Sequence, residues 1–385
     1  MLLISTAAQP PMRAAILLGE LCLRLTRPTT FTLGNAMSDD SFNARRFFLK
    51  LAASAGLTAL ALPGSAQAFF GRAKEFEWLP SECADERYPM QLINGLLKSP
   101  EGALIGVPAG KIINNGWGEI GSRRLIGPAQ KPVPEKLELA WFSYTEDRFY
   151  GGEVALPHAL LTQLFEEGFT IPLTQEHGTW QKIIVGMGLG GWTSIWMAGS
   201  GLVREVARAR LEPVEMDWSR VVDNPAIPRQ EFIRSTLTRR LSPDALATLS
   251  KNGPPVSSWP RYTQRERWRL AVAEGVTPQY LFLRGFNGER QFHDFTRTSP
   301  GLFDTIPKHV QIAYRSPSGS TLLAEIGFDE NEIFSAFGQA KAAGSTPPTL
   351  HFNLKYHSRI VIALETAAGR TALQHSRIQV GRLSP

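Results

Sequence analysis

The stretch KIIVGMGLGGWTSIWMAG, Lys182–Gly199, decides how the chain is read. Apolar Ile183, Ile184 and Val185 run into glycines at 186, 188 and 191. This is the G-x-G-x-x-G spacing of a dinucleotide-binding turn. Such a turn needs a helix of about a dozen residues after its third glycine. Here bulky Trp192 follows at once, and Thr193, Ser194 and Ile195 after it favour a strand. Gly199 and Gly201 would then break any helix. The spacing therefore predicts two strands joined by a Gly190-Gly191 turn, and no dinucleotide cofactor.

Working outward, LELAWFSYTEDRFYGGEVAL (137–156) reads as two strands around a polar turn at Thr145–Arg148. PHALLTQLFEEG (157–168) reads as a helix, with Pro157 at its start, Gly168 at its end, and Leu160, Leu161, Leu164 and Phe165 on one face. The glycine hairpin and the strand-like GLVREVARARLEPV follow.

The C-terminal part repeats this order. VQIAYRSPSGSTLLAEIGF (310–328) reads as two strands. DENEIFSAFGQA (329–340) reads as a helix, with Asp329 and Glu332 in a capping-box arrangement. TLHFNLKYHSRIVIALETAAG and RTALQHSRIQVG supply further strands. Val185 matches Phe352 and Ile195 matches Ile362, which sets Gly190-Gly191 opposite His357-Ser358. Between the halves, RQEFIRSTLTRRLSPDALATLSKNG and WPRYTQRERWRLAVAEG suggest helices. LFLRGFNGERQFHDF suggests a hairpin with Asn287-Gly288 as its two-residue turn.

The expected fold class is α+β. It comprises two related β-rich units, each an antiparallel sheet with one helix, separated by a helical insert. The expected segments are 1–36 (a mis-assigned leader), 37–68 (signal), 69–134 (irregular), 135–216 (first unit), 217–276 (insert) and 277–385 (second unit).

The beginning of the chain carries a targeting pattern. Arg45, Arg46, Phe48, Leu49 and Lys50 precede a short apolar run that closes on Ala66-Gln67-Ala68. This resembles a twin-arginine (Tat) export signal cleaved after Ala68. The run Leu51–Leu62 is too short to cross a bilayer. Met37 opens a signal of ordinary length, so it is the expected start. The expected product is periplasmic, engages the Tat export machinery, and is not held in the membrane after cleavage. Of two cysteines only Cys83 survives cleavage, so no internal disulfide is expected. The formal charge of +6 for the whole chain falls on cleavage, and no Lys/Arg block remains. Nucleic acid is therefore not an expected partner.

Candidate chemistry is sparse. GWGEIGSRR (116–124) repeats the glycine spacing without a strand before it or a helix after it, and reads as a loop. The seven histidines form no ligand spacing, so no metal site is assigned; His351 and His357 flank a predicted turn. There is no G-x-S-x-G elbow. Glu146-Asp147 and Glu166-Glu167 read as solvated acids at a turn and a helix end. No catalytic residue is assigned. Candidate binding residues are Trp117, Trp141, Tyr144, Arg148, Tyr150, Gly190, Gly191 and Trp192, since aromatics with arginine favour binding surfaces. A core aromatic cluster is the plain alternative.

GWGEIGS, LAWFSYTEDRFYGGEVALP, IIVGMGLGGWTSIWMAGSG, EVARARLEPVEMDW and FNGE together resemble the bacterial family described as domain of unknown function 2931, from Trp117 to Glu289. The resemblance implies an exported protein, often a lipoprotein, and lends no catalytic residues. The twin-arginine signal in place of a lipobox departs from that pattern. The expected function is non-catalytic binding of a periplasmic protein or ligand. The alternative is a Tat-exported enzyme, either a nucleotide-dependent oxidoreductase or a carboxylate-based hydrolase.

Overall fold

The computed structural model describes residues 74–122, 127–224, 226–299, 301–344, 347–354 and 360–382. The signal pattern and the His357-Ser358 turn lie outside the described residues.

After a short strand at Glu75–Glu77 that pairs with Gln130–Pro132, the three large sheets begin with β1 (Leu79–Ala84), β2 (Met90–Lys98) and β3 (Leu104–Gly106). The hairpin β4 (Lys136–Ser143) and β5 (Arg148–Ala155) leads into helix α1 (His158–Glu167). Strands β6 (Lys182–Met187), β7 (Trp192–Gly199), β8 (Leu202–Arg210) and β9 (Glu212–Pro213) follow. Helices α2 (Arg229–Arg240) and α3 (Pro243–Asn252) form the insert. Next come β10 (Arg265–Val272), β11 (Thr277–Gly285), β12 (Arg290–Asp294) and β13 (Phe303–Thr305). The chain closes with β14 (Pro307–Arg315), β15 (Thr321–Gly327), α4 (Glu330–Ala342), β16 (Thr349–Asn353), β17 (Val361–Thr366), β18 (Gly369–Leu373) and β19 (Arg377–Arg382).

The fold is mixed α+β and dominated by strands. Among the described residues the largest sheet has nine strands in the order β1-β6-β7-β8-β12-β11-β14-β15-β19. A second runs β9-β5-β4-β2-β3, and a third β13-β10-β16-β17-β18. Strands of each half therefore divide between two sheets rather than forming one antiparallel sheet apiece. Each half also contains a parallel pair, β1 with β6 and β10 with β16. A parallel pair needs a long crossover, and β2–β5 with α1 provides the first. Val185 pairs with Ile195, and Phe352 with Ile362.

The glycine stretch is a hairpin. Strands β6 and β7 pair antiparallel from Lys182↔Ala198 to Met187↔Thr193, and Gly188 N–H donates to the Trp192 carbonyl at 2.7 Å. Two glycines are required here. A Cβ on Gly188 would sit 2.6 Å from the buried Trp259 indole. Gly191, at φ +80°, would place a Cβ 2.0 Å from the Leu211 carbonyl oxygen.

Several expectations need correction. The stretch 69–134, expected to be irregular, carries β1–β3. The residues of β1, LPSECA, hide their strand character because buried Ser81 and Glu82 are polar. Partners make this possible: Ser81 Oγ accepts from Gly121 N–H at 3.0 Å, and Glu82 Oε1 accepts from Ser122 N–H at 3.1 Å. Pro80 is tolerated because β1 is an edge strand.

The second predicted insert helix, WPRYTQRERWRLAVAEG, is a 3-10 segment followed by β10. Pro260 interrupts helical hydrogen bonding, and Trp268, fully buried, stacks on Phe303 at 4.6 Å. The hairpin β11–β12 turns through three residues rather than two. Gly285 N–H donates to Glu289 at 2.9 Å, and Gly288 sits at φ +84° in the bulge position. Both α1 and α4 form within a residue or two of expectation, and Asp329 accepts from Glu332 N–H at 2.9 Å. The reciprocal half of the capping box is missing. The Glu332 carboxylate instead accepts from the Gln374 and His375 N–H groups at 2.7 and 3.0 Å.

Candidate functional site

The β4–β5 hairpin ends on the pair Ser143↔Arg148, leaving Tyr144–Asp147 as its turn. Its two adjacent acids behave differently from solvated turn residues. Glu146 is clamped by three donors: Oε2 accepts from Ser143 Oγ at 2.7 Å, and Oε1 accepts from the Tyr150 hydroxyl at 2.7 Å and from Gly190 N–H at 3.0 Å. Asp147 accepts from Arg229 Nε at 2.6 Å and from Gln230 Nε2 at 2.7 Å. Asp147 itself sits at φ +50°, a conformation Asp adopts more readily than most residues.

Around Glu146 lies an open cleft of about 390 Å³. Arg148, Tyr150 and Gly190 line it, as do Arg210, Glu212, Pro254 and Val256. The side chains of Arg148, Arg210 and Glu212 belong to exposed residues, while Tyr150 is buried. Arg210 Nε donates to the Gly190 carbonyl at 3.0 Å, so the glycine turn is gripped on both its N–H and its C=O. Burial, reinforced by the Glu146 carboxylate, pushes the Tyr150 phenol well above its usual range. Tyr150 therefore stays a neutral donor at physiological pH.

Of the eight residues proposed from the sequence, the structure brings Arg148, Tyr150 and Gly190 to this cleft. Gly191 is buried beside it, with its carbonyl accepting from Leu211 N–H at 2.8 Å. Trp192 packs partly buried against the core. Trp117 is a core residue, edge-on to Trp196 and Trp259 at 4.9 and 5.1 Å. Trp141 is fully buried over Tyr150, 5.5 Å between ring centres. Tyr144 is buried in a separate aromatic cluster and donates to Gln91 Oε1 at 2.6 Å. Glu146 and Arg210 were missed. The available signal was Glu146's place between Ser143 and Tyr150, which share its side of the hairpin.

A second cleft, of about 620 Å³, borders β8 and β12. Arg265 bridges Glu289 at 2.8 Å and Asp304 at 3.0 Å, and Glu205 N–H donates to Glu289 Oε1 at 2.9 Å. The FNGE and GWGEIGS motifs meet nearby. A Cβ on Gly118 would lie 2.3 Å from the Gly288 carbonyl oxygen, and Glu119 pairs with Arg284 at 2.9 Å and with Arg290. Trp196 Nε1 donates to the Asn287 carbonyl at 3.1 Å. These motifs lock the β11–β12 loop onto the loop after β3. Among the described residues no cluster of three or more His, Cys, Asp or Glu could hold a metal. His351 Nε2 meets Glu365 Oε2 at 2.9 Å, whereas His357 lies outside the described residues.

The fold and its clefts define a strand-rich α+β protein with a clamped-carboxylate surface cleft. The chain belongs to the family "Protein of unknown function (DUF2931)", whose model matches residues 63–256. The match begins upstream of Trp117 and ends before FNGE. No curated protein and no solved structure matches the chain. Among the described residues no helix is long and apolar enough to cross a membrane.

Proposed function

We propose that the protein is an exported, non-catalytic binding protein that holds a periplasmic partner at the Glu146 cleft. The observation that carries this is the state of Glu146 itself. A carboxylate accepting from a serine hydroxyl, a tyrosine hydroxyl and a backbone N–H is fixed in place by the chain itself, with both oxygens engaged rather than turned freely toward a substrate. What remains is a rigid acidic point flanked by two exposed arginines and an apolar wall at Val256. A pre-organised polar patch of this kind suits recognition. No dinucleotide or other cofactor enters this reading.

The test is affinity capture from periplasmic extract with the wild-type protein and an Arg148→Glu/Arg210→Glu variant. One partner retained by the first and lost by the second is the expected result. Release of flavin or nicotinamide on denaturing the purified protein would overturn the reading in favour of the oxidoreductase. Export rests on Arg45-Arg46 and the Ala66-Gln67-Ala68 site. Changing both arginines to lysine should leave the protein in the cytoplasm, and unchanged localisation would remove the twin-arginine signal from the proposal.

The two halves are further read as copies of one unit. The parallel pairs β1–β6 and β10–β16, the hairpins β4–β5 and β14–β15, and the helices α1 and α4 occur in the same order and support this. An experimental structure pairing residues 265–382 differently would overturn it.

A further inference from the structure

Beyond the cleft, the other side chain network of the β4–β5 turn surrounds a cation. The Arg229 guanidinium carbon lies 5.4 Å from the Phe142 ring centre, 5.7 Å from Phe149 and 5.1 Å from Trp218. The rings support one another, with Phe142 4.8 Å from Phe149 and 5.2 Å from Trp218. Asp147 closes the box: its carboxylate accepts from Arg229 Nε at 2.6 Å and its carbonyl from a terminal guanidinium nitrogen at 3.0 Å. Three π faces and a carboxylate are the chemistry that recognises a flat organic cation.

The walls and the cation come from different parts of the chain. Phe142, Phe149 and Asp147 belong to the β4–β5 hairpin, and Trp218 to the short turn after β9. Arg229 is the first residue of α2. The helix itself is held in place: Ile233 and Thr236 are buried, and Phe232 in its first turn packs 6.0 Å from Trp218 and 6.3 Å from Tyr144. The Arg229 side chain, by contrast, is 37% exposed, so a swing of that side chain outward empties the box without moving the helix.

We propose that the box of Phe142, Phe149, Trp218 and Asp147 is a binding site for an arginine side chain presented by a partner protein, and that Arg229 occupies it in cis until displaced.

The test uses the full chain with Arg229→Ala and L-argininamide as the probe. The readout is the indole N–H resonance of Trp218, assigned by its loss in Trp218→Phe. Saturable shifts in the millimolar range are expected for Arg229→Ala, with none at the same concentrations for wild type. Adding Asp147→Asn should weaken binding severalfold. A folded Arg229→Ala protein whose Trp218 signal ignores the probe overturns the proposal. Should Arg229→Ala not fold, Arg229→Gln keeps an N–H for Asp147 without the charge, and the same outcomes apply. If neither folds, Arg229 is a structural rivet and the proposal fails.

Discussion

Gly190 donates its backbone N–H to Glu146 Oε1 at 3.0 Å, so a carboxylate of the chain itself occupies the bend of the glycine turn. The same oxygen accepts the buried Tyr150 hydroxyl, and the other carboxylate oxygen accepts from fully buried Ser143. Replacing Glu146 with Ala leaves three donors without their acceptor. The expected loss is about 2–3 kcal/mol of stability. Glu146→Gln, which keeps one acceptor oxygen, should lose about 1 kcal/mol. Urea denaturation of the two variants gives the comparison. Equal stability of the alanine variant and wild type would mean the clamp does not hold the turn.

Gly191 allows no side chain. Its φ of +80° and the 2.0 Å separation between a built Cβ and the Leu211 carbonyl oxygen put the clash on backbone, which cannot rotate away. Gly191→Ala should cost about 3 kcal/mol or more, from left-handed strain together with overpacking. Gly319→Ala also carries a positive φ, +86°, but has open space around its Cβ, so it should cost about 1 kcal/mol. Thermal melts of both variants separate the two contributions, and equal losses would show that the close approach to Leu211 is unimportant.

His309 sets an acid limit. Burial, with Arg284 and Lys308 nearby, pushes its imidazole down from 6.5 to about 4. The folded state thus binds this proton more weakly than the unfolded chain. His309 contributes its stability in full above pH 6.5, and the contribution is lost as pH falls from 6.5 toward 4. His309→Gln should flatten the melting temperature over that window. An unchanged slope would place the acid sensitivity elsewhere.

Ionising Glu82 carries a cost. Burial raises its carboxyl above the usual range against the lowering effect of Ser122, and Oε2 is buried without a hydrogen-bond partner among the described residues. A raised folded-state value means that ionisation works against the fold above pH 4.5. Glu82→Gln keeps an oxygen for Ser122 and removes the charge. It should raise stability at pH 7 and change it little at pH 4. A loss of stability at pH 7 would indicate that the free oxygen has a partner in solution.

Elements with a single periodicity were legible from sequence. Helix α1 shows its apolar face and its Pro157 and Gly168 ends, and the bulk of Trp192 announced a strand where a cofactor helix would have stood. Strands β1 and β10 were illegible for opposite reasons. Ser81 and one oxygen of Glu82 in β1 find their partners in a loop some forty residues away, a pairing no local pattern records. In β10, arginines at 265, 267 and 269 alternate with Glu266 and the fully buried Trp268 at the period of a strand, but the density of charge resembles a solvated helix and hides the alternation. The cleft was half legible. Arg148, Tyr150 and Gly190 stood out by type, but Glu146 shows its importance only when Gly190 arrives from another hairpin.

The two parallel pairs impose a timetable on folding. Strand β1 must wait for β6, about a hundred residues later, and β10 must wait for β16. Contacts so distant in sequence form slowly, because the loop must close before any pairing rewards it. The nine-stranded sheet is finished only when its last strand in chain order, β19, pairs with β15. A chain that has not yet delivered β19 therefore exposes the unpaired edge of β15, a template for pairing with another chain.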